Sequence, residues 1–272
     1  MKQLVHRICK DLLTTKNEAE VIAARLLNCS KHELYFHTVR DSHLQHKLKS
    51  QLAQLKNGKP IEYVTRTTSF LDLDLNILPG VFIPRLETEF LIEIVKNKMV
   101  DAPRKILEIG TGTGAISIAL ARIFAECMII ANDISERALQ CAHINIKKYE
   151  LEKRIMLCRA DRFSGIKGSY DLIISNPPYI SQERLNRLPK SVRDFEPIIA
   201  LDGGFNGIEI IAAIILNGYE MINEQGNIAL EIDDHQVGLI RDLLILNKIN
   251  NYIFLKDLFG RFRYLYISKK II

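Results

Sequence analysis

Two different periods of apolar recurrence divide this chain. Over the first fifty-odd residues apolar positions return at helical intervals, as in Val21, Ile22, Leu26 and Leu27. Asn17 with Glu20, Ser30 with Glu33 and Ser42 with Gln45 each have the three-residue spacing at which a side chain and a backbone amide cap one another, so several short helices packed as a small bundle are predicted. Asn57-Gly58-Lys59-Pro60 breaks that pattern. Phe70-Leu71-Asp72-Leu73-Asp74-Leu75-Asn76-Ile77 then alternates apolar and polar residues as a half-exposed strand does, which reads as a β connector.

From Lys105 onward, apolar runs of strand length alternate with helical ones. Strands are expected at Ile106 to Ile109, Met128 to Ala131, Ile155 to Cys158, Tyr170 to Ser175, Ile228 to Ile232, Tyr252 to Lys256 and Arg263 to Ile267. Helices are expected at Ala115 to Phe124, Ser135 to Tyr149, Ile208 to Ile222 and Gln236 to Leu246. That alternation predicts an α/β fold, a doubly wound and mostly parallel seven-stranded sheet. The expected organisation is a helical domain over residues 1–58, a β connector over 59–84 and the α/β domain over 85–272.

Composition narrows the class. The chain has 272 residues, 47% hydrophobic and 25% charged, enough for one large α/β domain with a small companion. No apolar stretch approaches the length of a membrane span, and the start, Met1 to Arg7, lacks the apolar core of a secretory leader, so a cytoplasmic location is expected. Cys9, Cys29, Cys127, Cys141 and Cys158 are scattered without a Cys-x-x-Cys pair, which points to reduced thiols. His32, His37, His43 and His46 cluster, but no carboxylate or cysteine completes a ligand set, and no metal is expected. The net charge of +5 is uneven: residues 1–60 carry 11 Lys and Arg against 5 Asp and Glu. Such a basic face can steer an acidic protein or a nucleic acid.

The chemistry concentrates at strand ends. Glu108-Ile109-Gly110-Thr111-Gly112-Thr113-Gly114 lies where the first strand of the α/β domain meets its helix, and its glycines let backbone approach a ligand closely. The spacing departs from the dinucleotide-binding Gly-x-Gly-x-x-Gly, and no Lys-Ser or Lys-Thr follows to make a phosphate loop. Asp133 ends the second strand about 20 residues on, as suits a carboxylate holding two ribose hydroxyls. Asp161 follows the third strand, where it can accept from an adenine amino group while the Arg162 amide donates to the ring. The fourth strand ends in Asn176-Pro177-Pro178-Tyr179. Two prolines stop the strand and remove two donors, so the Asn176 side-chain carbonyl and the Pro177 carbonyl can accept from a planar NH2 group that Tyr179 faces. In open α/β sheets these strand ends share one crevice.

These residues resemble the class I S-adenosylmethionine-dependent methyltransferases, and more closely the release-factor glutamine methyltransferases. The resemblance covers nearly the whole chain. It rests on Gly58 to Val64, Phe82-Ile83-Pro84-Arg85-Leu86-Glu87-Thr88-Glu89, the Glu108 to Gly114 loop, Asn176 to Tyr179, Phe195-Glu196-Pro197, Ala200 to Gly204 and Lys256 to Gly260. It implies S-adenosylmethionine as cofactor and methylation of the side-chain amide of the glutamine in the Gly-Gly-Gln motif of class 1 peptide chain release factors. It further implies that Gly110, Thr111, Gly112, Thr113 and Gly114 contact the methionine part of the cofactor. Asp133 would hold the ribose, with Asp161, Arg162 and Asn176 also on the cofactor. Asn176, Pro177, Pro178 and Tyr179 would hold the target glutamine, and Asn176, Pro177 and Tyr179 carry the catalysis. The family usually has proline where Leu86 stands, and some relatives have an aromatic residue at Arg162.

An amide nitrogen is a weak nucleophile, so orientation is expected to do most of the work. Glu87, Glu89 and Asp202 are candidate bases. The Asn-Pro-Pro-Tyr run alone is shared with adenine-N6 methyltransferases of DNA or RNA, which is the alternative reading; a cofactor-binding module without catalysis is a third. A monomer that needs no nucleic acid and no membrane is expected.

Overall fold

The structure is a computed structural model that describes residues 1–36 and 42–269, so His37 of the histidine cluster lies outside the described residues. By contact the chain falls into two compact units, Met1–Thr67 with Lys190–Phe195, and Thr68–Pro189 with Glu196–Ile272.

The first unit is helical. It contains α1 (Lys2–Leu12), α2 (Lys16–Leu27), α3 (Ser42–Lys56) and α4 (Ile61–Thr65). Ile8, Ala19, Ala23, Leu34, Leu48 and Leu52 form its core. Ser30 and Glu33 cap each other as expected, with Glu33 N donating to Ser30 Oγ and Ser30 N to Glu33 Oε2. The cap of α2 differs from expectation: Thr15 and Glu18 form the reciprocal pair, so the helix starts two residues earlier and Asn17 falls inside its first turn. Val21 faces outward, because the buried stripe runs through Ala19, Ala23, Ala24 and Leu26, where small residues allow close helix packing.

The second unit opens with β1 (Thr67–Phe70) and β2 (Leu73–Asn76), a two-stranded sheet. One strand was expected over 70–77, but Leu71 adopts φ +51°, and its amide donates to Glu89 Oε1 at 2.9 Å, so the run turns and becomes two strands. The alternation survives the turn, with Leu73 and Leu75 buried and Asp74 exposed.

Next come α5 (Leu86–Lys98), β3 (Lys105–Ile109), α6 (Ala115–Ile123), β4 (Met128–Asp133), α7 (Glu136–Lys148), β5 (Ile155–Arg159) and β6 (Tyr170–Ser175). They are followed by α8 (Gln182–Leu185), α9 (Lys190–Arg193, in the first unit), α10 (Glu209–Met221), β7 (Ile222–Glu231), α11 (Val237–Leu246), β8 (Tyr252–Lys256) and β9 (Phe262–Ser268). The seven-stranded sheet has the order β5-β4-β3-β6-β7-β9-β8. β3 to β7 pair in parallel, and β9 runs antiparallel to both β7 and β8. The expected doubly wound, mostly parallel sheet is therefore the observed one. Apolar spacing did not reveal the short α8 and α9, α4, which lies inside the expected β connector, or α5, whose buried face at Thr88, Leu91, Ile92 and Val95 includes a polar residue.

Alternation along each strand builds two cores. Ile106, Leu172, Ile174 and Ala229 point into one with α5, α6 and α7, while Leu107, Ile173, Ile228 and Leu230 point into the other with α10 and α11. Strands covered on both faces need continuous apolar runs, which is why these segments show no alternation in sequence. Order reverses at β3, whose neighbours are β4 and β6, so a crevice opens at its carboxyl end.

Asn145, fully buried on α7, ties this end together. Its Oδ1 accepts from Asn76 N at 2.7 Å, and its Nδ2 donates to Asn76 O and Thr113 O, both at 2.9 Å. Asn145→Ala is predicted to destabilise the protein by about 3 kcal/mol, since it strands several buried polar groups at once. A urea midpoint unchanged from wild type would refute this.

Candidate active site

Every strand end singled out in the sequence meets one cavity of about 480 Å³ within the second unit. Its wall includes Gly110 to Thr113, Asp133, Asp161, Arg162 and Asn176 to Pro178. Gly110 and Gly112 have φ of +76° and +57°, and a Cβ at either would meet nothing within 4 Å. The glycines there serve backbone conformation, because side chains rarely adopt positive φ. Thr111 N and Gly110 N both donate to Asn132 O, which closes the loop onto the end of β4.

Two carboxylates shape the cofactor half. Glu108 is fully buried; Oε2 accepts from Thr111 Oγ1 at 2.8 Å and from Ser117 Oγ, while Oε1 has no hydrogen-bond partner among the described residues. Burial pushes its pKa up to about 7 despite the hydroxyl donors, and the charge of Asp133 adds to the rise. Asp133 takes the Gly112 amide on Oδ2 at 3.0 Å and the Ser135 amide on Oδ1 at 2.9 Å. Burial raises its pKa too, and those amides work against the rise. An orphaned buried carboxylate oxygen, an apolar wall that includes Val81, Ile109 and Ala138, and a carboxylate at the end of β4 fit a cofactor that joins an ammonium group to a nucleoside. S-adenosylmethionine, expected from the resemblance, has that make-up.

The Asp161 carboxylate is engaged by its neighbour: Arg162 Nε donates to Oδ1 at 2.8 Å and Nη2 to Oδ2 at 2.9 Å. Arg162 sits at φ +51°, and its carbonyl accepts from Asn132 Nδ2.

The Asn176 run is held from behind. Ser175 Oγ donates to Ile109 O at 2.7 Å, which joins the ends of β6 and β3. Asn176 Nδ2 donates to Thr88 Oγ1 at 2.8 Å, so the side-chain carbonyl is left for the cavity. The Pro177 carbonyl takes no hydrogen bond from the described residues. Tyr179 lies off the cavity wall; its hydroxyl donates to Glu231 Oε1 at 2.9 Å, and its carbonyl accepts from Gln236 Nε2 at 2.8 Å. Ile180 pairs with the Ala200 to Gly204 segment, with Ile180 N donating to Leu201 O and Gly203 N to Ile180 O. A Cβ on Gly207 would come within 2.3 Å of Tyr179 O, so only glycine lets that segment approach.

Other blocks that carry the resemblance support the same wall. Glu196, buried, accepts from Ile83 N at 3.2 Å and pairs with Arg85. Leu86 is the first residue of α5 and 75% exposed, so the helix begins there without the proline. Of the three candidate bases, Asp202 lines the cavity and also accepts from Gly204 N at 2.9 Å, whereas Glu89 holds the Leu71 amide. Sequence reasoning missed Thr88 and Glu231 as parts of this site. A charged residue closing the apolar run Ile228 to Leu230 was a signal for Glu231; its meeting with Thr88, 143 residues away, left none.

Glu108 makes the ligand-free protein sensitive to pH in a defined direction. Its folded pKa is raised, so the contribution is full below the unfolded value near 4.5 and is lost as pH rises to about 7. A loss of roughly 3 kcal/mol is predicted over that window. Urea unfolding of wild type and Glu108→Gln at pH 5 and pH 8 checks it, and an equal pH dependence in both would refute it.

Residues 73–190 match the family model described as "Methyltransferase small domain". The release factor glutamine methyltransferase of Rhodopirellula baltica is 33% identical over 262 residues, covering 93% of this chain and 88% of that protein. The human MTRF1L release factor glutamine methyltransferase is 34% identical, covering 77% and 67%. Among solved structures, a methyltransferase from Pyrococcus furiosus superposes with a TM-score of 0.56 at 20% identity, over 85% of this chain and all of that one.

Proposed function

The chain belongs to the release factor glutamine methyltransferase family, and we propose that it transfers a methyl group from S-adenosylmethionine to the glutamine side-chain amide of the Gly-Gly-Gln motif in class 1 peptide chain release factors. The observation that carries this is the pair of free acceptors, Asn176 Oδ1 and the Pro177 carbonyl, at the wall of a cavity whose other half suits the cofactor. Two acceptors side by side match the two hydrogens of a primary amide.

The glycine loop Gly110 to Gly114 and Glu108 would hold the amino acid end of the cofactor, Asp133 its ribose, and Asp161 with the Arg162 amide its adenine. Bound there, S-adenosylmethionine supplies a methyl group on a sulfonium, a strong electrophile. The protein's part is to orient the nucleophile. Accepting both amide hydrogens fixes the plane of the glutamine NH2 and draws electron density toward nitrogen. Such positioning is worth several kcal/mol, up to about 7–11 in the best intramolecular cases. Of the three candidate bases Asp202 is the one on the wall, where it can receive the proton released on methylation, directly or through water. Tyr179 contributes from behind the wall through Glu231.

The helical unit, with its own core and the excess of positive charge in residues 1–60, suits docking of the protein substrate. Among the described residues no helix is long and apolar enough to cross a membrane. A monomer acting in the cytoplasm, without nucleic acid, completes the reading. The adenine-N6 alternative rests on the shared tetrapeptide, and the full-length relatives favour glutamine.

Incubating the protein with labelled S-adenosylmethionine and a class 1 release factor should place one methyl group on the Gly-Gly-Gln glutamine, read by mass spectrometry of the tryptic peptide. An unmodified factor, with cofactor binding intact, would overturn the proposal. Asp133→Ala is predicted to weaken cofactor binding about 10- to 100-fold, the worth of one or two hydrogen bonds to a charged group. Asn176→Ala should lower kcat about 100-fold or more while cofactor affinity changes little. Calorimetry beside steady-state rates separates the two, and equal losses in both measurements for Asn176→Ala would assign that residue to the cofactor instead.

A further inference from the structure

We infer that Glu231, working through Thr88, sets which way round the Asn176 amide faces and is thereby a positioning residue for the methylation step. The inference rests on the proposed function for its substrate and on hydrogen-bond direction for its argument.

Four polar side chains meet here, Asn176 and Thr88 on the cavity wall and Glu231 and Tyr179 behind it. Thr88 Oγ1 donates to Glu231 Oε2 at 2.8 Å, Tyr179 Oη donates to Glu231 Oε1 at 2.9 Å, and Asn176 Nδ2 donates to Thr88 Oγ1 at 2.8 Å. Glu231 is 1% exposed and Thr88 4%, so water does not substitute for these partners. The direction of each bond follows from the chemistry. An ionised carboxylate only accepts, so the single hydroxyl proton of Thr88 is committed to Glu231. The Thr88 oxygen is then left with lone pairs, and only the NH2 end of Asn176 can satisfy them. The carbonyl end must turn to the cavity, where a substrate NH needs an acceptor.

The two ends of an asparagine amide have nearly the same shape, so packing alone cannot choose between them. Direction has to come from a group that cannot reverse its role. Threonine can donate or accept, and so can a glutamine. A carboxylate is the one partner in the chain Asn176–Thr88–Glu231 that cannot donate while it is charged. Tyr179 reinforces this, since its hydroxyl occupies the other carboxylate oxygen; burial raises the Glu231 pKa, and the Thr88 and Tyr179 hydroxyls and the Arg263 guanidinium, 6.0 Å from the Tyr179 ring, oppose that rise.

A reversal is therefore built into one isosteric change. In Glu231→Gln the new NH2 can donate to Thr88 Oγ1, the Thr88 proton then points to Asn176, and the amide turns over to present NH2 to the cavity. Two NH2 groups would face each other across the site. The change alters no volume and touches neither cofactor nor substrate.

The test uses the full chain. For Glu231→Gln, kcat with the release factor should fall about 100-fold, while the cofactor dissociation constant and the KM for the factor stay within about threefold of wild type. Thr88→Val should give the same loss, and Thr88→Ser, which restores the hydroxyl, should recover most of the rate lost in the valine variant. In 15N-labelled protein without any substrate, the Asn176 side-chain NH2, assigned by its disappearance in Asn176→Asp, should show contacts to the Thr88 methyl group and slow solvent exchange. Both should be lost in Glu231→Gln. Unchanged kcat, or an unchanged Asn176 NH2 signal in Glu231→Gln, would overturn the inference. The amide signal is read without turnover, so a wild-type protein that fails to methylate the factor counts against the proposed function and not against this network. Should Glu231→Gln fail to fold, the valine and serine pair at Thr88 decides the matter alone.

Discussion

A loop with two consecutive prolines cannot hold itself in place through its own amides, and much of the second unit is arranged around that constraint. Pro177 and Pro178 remove two backbone donors at the point where β6 ends, so the fixing bonds come from elsewhere. Thr88 on α5 takes the Asn176 amide, Gln236 before α11 takes the Tyr179 carbonyl, and the Ala200 to Gly204 segment pairs with Ile180. Elements far apart in sequence are thus committed to one tetrapeptide. Among the described residues no backbone amide donates to either proline carbonyl, which leaves both open to a ligand.

Burial treats the three acidic groups of this region alike, and their partners tell them apart. Glu108, Asp133 and Glu231 all have pKa values raised by desolvation. Asp133 is offset by backbone amides, which suits a group that stays charged against hydroxyls. Glu231 is offset by two hydroxyls and nearby Arg263, which fixes it as an acceptor inside the wall. Glu108 keeps one oxygen without a hydrogen-bond partner among the described residues, which leaves it open to a cation. One physical cost, met by three kinds of donor, gives three distinct roles.

The carboxyl ends of β3, β4 and β6 supply the chemistry because the sheet reverses order at β3. Side chains at those ends escape the close packing of the two cores and reach a common space. The antiparallel β9 brings Arg263 and Tyr264 back beside β7, where Tyr264 Oη donates to the Glu87 carbonyl at the start of α5. The start of α5 is in this way locked to the sheet, and Thr88 with it.

Much of this was legible in the chain itself. The apolar runs of β3 to β7 and the intervening helices follow from local periodicity, and Gly110 to Gly114, Asp133 and Asn176 to Tyr179 mark strand ends by composition alone. Local pattern failed where a distant partner decided the outcome. Glu89 turns the run at Leu71 into two strands, Thr15 outcompetes Asn17 for the cap of α2, and polar Thr88 hides the buried face of α5. The sequence by itself determined that Gly110 to Thr113, Asp133, Asp161 and Asn176 to Pro178 would line the crevice, because strand ends and glycine turns are local events. Only the tertiary structure decided the direction of the Asn176 amide, because that depends on a hydroxyl and a carboxylate 88 and 55 residues away, which no local pattern relates.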